Sequence, residues 1–296
     1  MQATRRGVLA GGVALGLAGT PLRAISISPV AWGNFPLEIE ASQLTQGGWL
    51  KGRLPRSGQI AALKLGDTRV AVDAAGGFFI GFDRDAAATA WLNGTCTGAA
   101  PCTQDRKPPQ FGLIIQPRRW DIQNIDAPFR PGNLPDAEFQ RIRALELAQV
   151  GAARRMVTDA SGWRQAMIWP VQGRISGRFG SQRIYRGQPG SYHSGLDIAG
   201  GQGAPYVAPA DGVVILAAPA PFTLEGNLLM LDHGMGLSSA FLHSSRLLVR
   251  SGDHVRQGQA LGEIGMTGRA TGPHLHWALK WQGARLDPLL FVPGGK

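Results

Sequence analysis

Two short segments carry the strongest signal in this chain: Tyr192-His193-Ser194-Gly195-Leu196-Asp197 and Gly272-Pro273-His274-Leu275-His276-Trp277. A catalytic zinc ion is held by about three His or acidic side chains, with a further position left open. His193, Asp197 and His276 fit that set. Side chains two or four residues apart in an extended strand share a face, so each segment should present its polar pair on one side. The two segments therefore predict a zinc site.

Spacing alone leaves a second interpretation open. His-x-His and His-x-x-x-Asp are short enough to arise by chance, and a histidine beside a glycine-rich turn is commonly an ordinary polar residue. Of the chain's six histidines, His233 and His254 stand in turn-like settings and are predicted to be structural. His243 follows an alternating run over residues 237–242, so it could be an ordinary histidine at a strand end.

Further blocks extend the pattern through the C-terminal part of the chain. They are Gly177-Arg178-Phe179-Gly180, Ala-Pro-Ala-Asp-Gly-Val-Val at 208–214, Ala240-Phe241-Leu242-His243, and Gly-Met-Thr-Gly-Arg-Ala-Thr-Gly-Pro at 265–273. With these blocks, the run from about Trp169 to Pro288 resembles the lysostaphin-type zinc endopeptidases, also called LytM-domain peptidases, which cut the peptide cross-links of bacterial peptidoglycan. The resemblance implies a C-terminal domain built on an antiparallel β-sheet.

The resemblance also implies roles for five residues. His193, Asp197 and His276 correspond to the Zn²⁺ ligands, and His243 and His274 to catalytic histidines that do not bind the metal. Zinc can lower the pKa of a water to about 7 and polarise the scissile carbonyl. One histidine can move the proton of the attacking water while the other donates to the developing oxyanion, and the sequence does not decide which does which.

Two alternatives to an enzyme remain. The same fold serves non-catalytic proteins that bind the envelope and activate other wall hydrolases, in versions that have lost ligands, whereas this chain keeps all five residues. The other alternative is an envelope scaffold protein with a vestigial metal site. The sequence reading favours a peptidoglycan peptide hydrolase, but it does not fix whether a D,D cross-link or a glycine bridge is cut.

Composition predicts a mainly β protein with an anionic partner. Glycine accounts for 42 of 296 residues, about twice the usual share of roughly 7%, which disfavours long helices. The net charge of +10 favours an envelope polymer or a membrane surface. Nucleic acid is disfavoured because no recognition helix or RNA-binding motif is present and the arginines are scattered. Peptidoglycan is the predicted partner, and protein partners are not readable.

The chain divides into four predicted parts. Residues 1–24 have the shape of an export signal, and their Arg pair resembles the twin-arginine type, which predicts a periplasmic or envelope location. The apolar stretch is shorter than the roughly 20 residues of a membrane span, so no stable span is expected. Residues 35–118 hold short strand-like runs of a β-sandwich-like accessory domain. Residues 119–165 form a linker and helix, and residues 166–290 the zinc peptidase domain.

Two local features of the N-terminal half complete the prediction. Cys96 and Cys102, the only cysteines, are expected to pair in an oxidising envelope. Asp136 is expected to cap a helix that runs to about Met156. Its imperfect apolar stripe predicts a packing helix rather than a membrane-binding one; the stripe consists of Phe139, Ile142, Leu145, Leu147 and Val150.

The polar stretch from Arg118 to Pro135 carries a regulatory hypothesis. It lies immediately before the predicted helix and is rich in Asp and Asn, so one of its side chains could lie across the open coordination position. A chain that begins near Ala160 is then expected to digest wall faster than the mature protein. The alternative is an inert linker.

Overall fold

The computed structural model describes residues 32–34, 37–54, 59–98, 103, 107–128 and 137–295. The predicted export signal at 1–24, Cys102 and Asp136 lie outside these residues. Strands dominate the described part of the chain and one α-helix accompanies them, which confirms the predicted mainly β fold. No helix within the described ranges is both long and apolar enough to cross a membrane.

Two antiparallel sheets fill the N-terminal half. One has the strand order β1-β8-β7-β4-β5 and the other β2-β3-β6, and Leu50 and Phe78 of the smaller sheet share a buried core with Leu63 and Leu92 of the larger one. The two sheets share a core in the sandwich-like arrangement that the short strand-like runs predicted. The strands are β1 Trp32–Gly33, β2 Glu38–Gln43, β3 Trp49–Arg53, β4 Ile60–Leu65, β5 Thr68–Val70, β6 Gly77–Gly81, β7 Thr89–Cys96 and β8 Gln110–Ile114. Cys96 is disulfide-bonded.

An eight-stranded antiparallel sheet organises the C-terminal half, in the order β10-β13-β21-β17-β16-β15-β19 with β22 beside β21. Two smaller sheets, β12-β11-β9 and β14-β20-β18, lie next to it. The strands are β9 Ile122–Ile125, β10 Arg174–Gly177, β11 Gln182–Tyr185, β12 Gln188–Pro189, β13 Leu196–Ala199, β14 Pro205–Val207, β15 Gly212–Ala217, β16 Asn227–Gly234, β17 Leu237–Ser244, β18 Arg246–Leu247, β19 His254–Val255, β20 Ala260–Glu263, β21 His274–Trp281 and β22 Ala284–Leu286. Short 3-10 turns occupy Gly162–Arg164 and Pro288–Leu290.

Strand β9 lies inside the segment predicted to be a linker. It pairs in parallel with β11, with Asn124 opposite Ile184. This pairing ties the polar stretch to the C-terminal half instead of leaving it as a free connection. Sequence periodicity did not reveal it, because a four-residue polar strand has too little alternation to register.

Helix α1 spans Ala137–Arg154 and packs on the large sheet. The predicted apolar stripe is only partly correct, since Leu145 and Leu147 are 56% and 52% exposed. The packed face instead follows Glu146, Val150 and Ala153, which are buried. Glu146 is accommodated because it accepts hydrogen bonds from the backbone nitrogen and the hydroxyl of Thr223 at 2.6 and 2.7 Å. A buried carboxylate with such partners takes the place of an apolar contact.

The accessory sheets and the large sheet share one hydrophobic core. A Cβ placed at Gly81 of β6 would lie within 2.9 Å of Trp281 and Leu286 side-chain atoms, and Trp49 donates through Nε1 to the carbonyl of Leu290 at 3.1 Å. Removing the N-terminal sheets would therefore expose apolar surface of the C-terminal half.

Candidate metal centre and active-site groove

The centre of the site lies on two paired strands. Asp197 of β13 stands directly opposite His276 of β21, and His274 opposite Ala199. Because side chains two apart on a strand share a face, His274 and His276 both point to the side of the sheet that carries Asp197. The strand prediction for the His-x-His segment is confirmed.

His193 reaches the same point from a loop. The strand containing Asp197 begins only at Leu196, so the prediction of a shared extended strand for His193 and Asp197 is wrong. Backbone hydrogen bonds fix the loop, from Gly180 to the carbonyl of His193 and from His193 to the carbonyl of Ser181, both 2.8 Å. The Ser-Gly pair after His193 breaks the pleat and turns the imidazole back over the sheet.

Three ligand atoms converge at this point. The distance from His276 Nδ1 to Asp197 Oδ1 is 2.7 Å, from His193 Nε2 to the same oxygen 3.0 Å, and from His193 Nε2 to His276 Nδ1 3.2 Å. Tetrahedral zinc with bonds of about 2.0–2.1 Å separates its ligand atoms by about 3.3 Å. A small outward movement of each side chain would therefore accommodate the ion.

Hydrogen bonding at His193 supports this fit. Its Nδ1 lies 3.0 Å from the carbonyl of Arg178, and a carbonyl can only accept, so Nδ1 carries the proton. The neutral ring then presents a lone pair on Nε2 to the Asp197 carboxylate. Converging acceptors of this kind suit a cation, and an imidazole whose other nitrogen donates to a carbonyl is the usual arrangement in a metal ligand.

Two glycines allow the ligands to approach closely. A Cβ at Gly195 would lie 2.6 Å from His276 Nε2, and a Cβ at Gly177 would lie 2.4 Å from Asp197 Oδ2. Neither position tolerates a side chain without movement of the site. Steric space for the ligand side chains, and not only turn formation, therefore explains why glycine stands at Gly177 and Gly195.

His243 lies beside the cluster because its backbone is unusual. Strict alternation would place it on the face opposite Leu242, but His243 has φ 64°, a conformation that few non-glycine residues adopt. Its ring centre is 5.0 Å from that of His274 and 6.3 Å from that of His276. The twist at the end of β17 therefore turns the side chain into the site.

Both predicted catalytic histidines have one nitrogen fixed and one free of a hydrogen bond. His243 Nδ1 donates to the carbonyl of Thr267 and His274 Nδ1 to the carbonyl of Gly272, each at 2.8 Å. His274 Nε2 lies 3.7 Å from Asp197 Oδ1, beyond hydrogen-bonding distance. Each ring can therefore accept or donate a proton at Nε2.

Burial and charge set the protonation of the cluster. Burial raises the pKa of Asp197, but the adjacent imidazoles of His193 and His276 outweigh this effect and hold its pKa well below the usual range. Burial lowers the pKa of His193, and Asp197 outweighs this effect and leaves that pKa raised. Burial lowers the pKa of His276 and of His243. At neutral pH, His243 can therefore serve as a proton acceptor.

An open groove of about 920 Å³ runs along the His193 side of the cluster. Its walls include Arg178, Tyr192 and Arg269, together with Asp121 and Gln123 from the segment around β9. The described part of the polar stretch therefore forms one wall of the groove. This position fits the restraint hypothesis, whose effect on activity stays a prediction.

Sequence reasoning missed Arg84, a residue of the accessory half. It is buried, donates to the carbonyl of Gly180 at 3.2 Å and lies 4.6 Å from the Tyr192 ring centre. Arg84 thereby supports the loop that carries His193. No local signal marks it, because an arginine before an aspartate is typical of solvent-exposed turns.

The two remaining histidines lie away from the site. His233 is in β16, fully buried, with ring nitrogens 2.8 Å from the carbonyl of Asp211 and 2.7 Å from Ser239 Oγ. His254 is exposed on β19 and lies 3.9 Å from Asp159 Oδ1. The turn settings inferred from sequence are wrong for both, although neither contacts the metal-ligand cluster.

Comparison with protein families identifies the C-terminal part of the chain. Residues 191–288 match the model of peptidase family M23, a range that begins just before His193 and ends just after β22. The chain carries an M23 peptidase domain. This confirms the lysostaphin-type resemblance.

Curated relatives of the M23 domain fall into two kinds. The peptidoglycan DD-endopeptidase ShyA of Vibrio cholerae is 39% identical over 120 residues, which cover 39% of this chain and 27% of that protein. The murein hydrolase activator NlpD of Escherichia coli is 32% identical over 136 residues, which cover 46% of this chain and 32% of that protein. The lipoprotein NlpD/LppB homolog of Pseudomonas aeruginosa is 37% identical over 132 residues, or 45% and 40% of the two chains. The chain thus matches two fifths or less of the length of these relatives.

A solved structure resembles more of the chain than the M23 domain alone. The crystal structure of a peptidase M23 candidate from Pseudomonas aeruginosa superposes with a TM-score of 0.62 at 26% identity, and covers 84% of this chain and 95% of that one. The accessory sheets therefore belong to an arrangement found in another M23 protein.

Proposed function

We propose that this chain is a zinc-dependent endopeptidase that hydrolyses the peptide cross-links of peptidoglycan. The observation that carries the proposal is the convergence of all five predicted residues in one site. His193, Asp197 and His276 would hold Zn²⁺, and the rings of His243 and His274 lie beside them. The name of the DD-endopeptidase relative supports the substrate class.

Zinc, when bound, would lower the pKa of a water and polarise the scissile carbonyl. Side chains of the protein would then carry out the proton transfers. His243 or His274, with Nδ1 fixed by a backbone carbonyl, would accept a proton at Nε2 and pass it to the leaving amine. The other histidine, in its doubly protonated form, would donate its Nε2–H to the carbonyl oxygen as negative charge develops.

Fixed rings reduce the cost of this chemistry. Both catalytic histidines keep their orientation through hydrogen bonds to Thr267 and Gly272, so little reorganisation is needed when the substrate arrives. The groove on the His193 side is long enough to hold an extended peptide.

The competing proposal is an activator that binds the envelope and stimulates another wall hydrolase. It is supported by the names of the NlpD relatives. The complete set of ligands and catalytic histidines favours the enzyme, because an activator has no need of proton-transfer groups held beside a metal site. We place either activity in the periplasm or cell envelope after export, in keeping with the predicted signal.

Digestion of purified peptidoglycan tests the two proposals. The zinc-loaded protein should release peptide fragments, a chelator should stop release, and added Zn²⁺ should restore it. His276→Ala serves as the matched inactive control. Wall that stays intact with the protein bound, and is degraded only when a second hydrolase is added, would contradict the enzyme and support the activator. Mass spectrometry of the fragments identifies the bond.

A further inference from the structure

A second cavity, of about 260 Å³, is lined by His276 and by Ser194, the residue after His193. It lies between helix α1 and the face of the large sheet. Its floor includes Ala240 and Ala278, two small side chains opposite each other in the β17–β21 pairing. Leu147 and Val150 of α1 form its roof. The cavity therefore continues the site along the sheet and beneath the helix.

Four cations line this cavity, of which Arg143 is paired with Glu225 and the other three are not. Lys280 comes from β21, Arg154 from the last turn of α1 and Arg285 from β22. Burial lowers the pKa of Lys280, and the positive charges of Arg154 and Arg285 lower it further. The three groups thus lie close enough to repel one another.

Among the residues that the structure describes, none of these three cations forms a salt bridge with a carboxylate, although Asp83 attracts Lys280 and Glu225 attracts Arg154 at longer range. Glu225, which also lines the cavity, is paired with Arg143 through two contacts of 2.6 and 2.7 Å. Asp83 accepts from the backbone nitrogen of Arg285 at 2.8 Å and makes no ion pair with its guanidinium. Arg285 lies over the ring of Tyr192 at 5.2 Å. Three mutually repelling cations with no carboxylate in direct contact are stabilised when an anion binds between them.

The position of the cluster relates it to the catalytic centre. His276, Ala278 and Lys280 alternate along β21 and face the same side of the sheet. Four residues of strand separate His276 from Lys280, or about 13 Å at roughly 3.3 Å per residue. An extended peptide running beside β21 would cover that distance in about four residues.

We propose that Arg154, Lys280 and Arg285 form a subsite that binds a carboxylate of the substrate peptide about four residues from the scissile bond. This inference rests on the proposed peptidase function. Arginine forks bind carboxylates in a bidentate manner, and the lysine adds a point charge. The subsite would therefore select acidic peptides, whose carboxylates are intrinsic to peptidoglycan stems, over neutral peptides of the same length.

The test compares one substrate with and without its carboxylates. Soluble cross-linked muropeptides are digested by the zinc-loaded full chain before and after their carboxylates are converted to amides. The variants are Lys280→Met, Arg154→Gln and Arg285→Gln. Arg155→Gln is the matched control, because it removes the same charge from the neighbouring residue of the chain, outside the cavity. Thermal unfolding verifies folding, and the exposed Arg285 provides a variant that should fold normally.

Each cavity variant should raise KM for the acidic muropeptides roughly 10-fold, equivalent to about 1.4 kcal/mol, with kcat little changed. The same variants should leave KM for the amidated peptides unaltered, and Arg155→Gln should change neither by more than about twofold. Equal KM values for acidic and amidated peptides, or an effect of Arg155→Gln as large as that of Arg285→Gln, would overturn the subsite.

Failure of the subsite and failure of the peptidase proposal give different results. If the wild-type chain does not cleave, binding of the intact muropeptides is measured by titration calorimetry. Weaker binding after amidation, and in the three variants, would support the subsite although the peptidase proposal fails. Cleavage at equal efficiency across all variants would reject the subsite and leave the peptidase standing.

Discussion

Replacing Gly195 with alanine should displace His276 and lower zinc content and activity together. The added Cβ would lie 2.6 Å from His276 Nε2 and 2.7 Å from the carbonyl oxygen of Trp277. Carbon contacts are comfortable from about 3.5 Å, so the ring would have to retreat by about 0.9 Å. The carbonyl belongs to β21 and cannot rotate away, which forces the strand itself to shift.

The size of the effect follows from that displacement. A misplacement of about 1 Å in a catalytic arrangement can cost roughly 100-fold in rate, and overpacking costs about 1–3 kcal/mol of stability. Gly195→Ala should therefore digest peptidoglycan about 100-fold more slowly than the wild type. Because His276 also bonds to Asp197 at 2.7 Å, the metal site should loosen at the same time.

Gly201→Ala is the matched control. A Cβ at Gly201 would meet nothing within 4 Å, and its backbone is outside the left-handed region. The measurements are zinc per chain after gel filtration, the digestion rate and the thermal midpoint. A Gly195→Ala protein that keeps its zinc and digests as fast as Gly201→Ala would refute the steric reasoning.

Alanine in place of any of the three proposed ligands should abolish zinc binding and activity together. Alanine at His243 or His274 should leave about one zinc per chain and reduce turnover by roughly two to four orders of magnitude. Metal analysis beside digestion rates checks this, and loss of zinc from His274→Ala but not from His276→Ala would reverse the assignment. Ile125→Pro should weaken the β9–β11 ladder, because Asp121 and Ile125 are at the alternate positions of the β9 segment that bond to the β11 segment. Digestion should speed up if β9 restrains the groove, and an unchanged rate would end that hypothesis. Burial raises the pKa of Glu146, but its bonds to Thr223 and Arg143 leave that pKa lowered. The ionised carboxylate therefore stabilises the fold above the unfolded pKa of about 4.3. This contribution is lost as the pH falls through the pKa of the folded state. Glu146→Gln should therefore melt below the wild type at pH 7, with the difference shrinking near pH 3; a constant difference in thermal midpoint would contradict this.

The accessory sheets affect how the restraint hypothesis is tested. A chain that begins near Ala160 would lose β9, but it would also expose the surface of Leu286 and Trp281 that packs on β6. The digestion rate of such a chain would then reflect two changes at once, the loss of β9 and the lower stability of the fold. Ile125→Pro changes only the local ladder, so it separates access to the groove from the integrity of the core.

Local sequence was sufficient for the parts of this protein that depend on local spacing. The short N-terminal strands were predicted from strand-like runs between Gly and Asp turns, and the His-x-His pair from the two-residue period of a strand. Both are properties of a few consecutive residues. The recognised blocks located the family domain, although its match covers only residues 191–288.

Tertiary structure decided the features that depend on distant residues. His193 reaches Asp197 from a loop and His243 enters the site through a positive φ of 64°, neither of which follows from alternation. Arg84 supports the site from the other half of the chain, and β9 joins a sheet through residues 60 positions away. The cluster of Arg154, Lys280 and Arg285 exists only because the end of α1 packs on the large sheet beside the cavity that Lys280 and Arg285 also line. The periodicity of a strand and the spacing of a motif depend on neighbouring residues in the sequence. The distances between charged groups and between imidazole nitrogens from distant segments depend on how the strands, loops and helix pack.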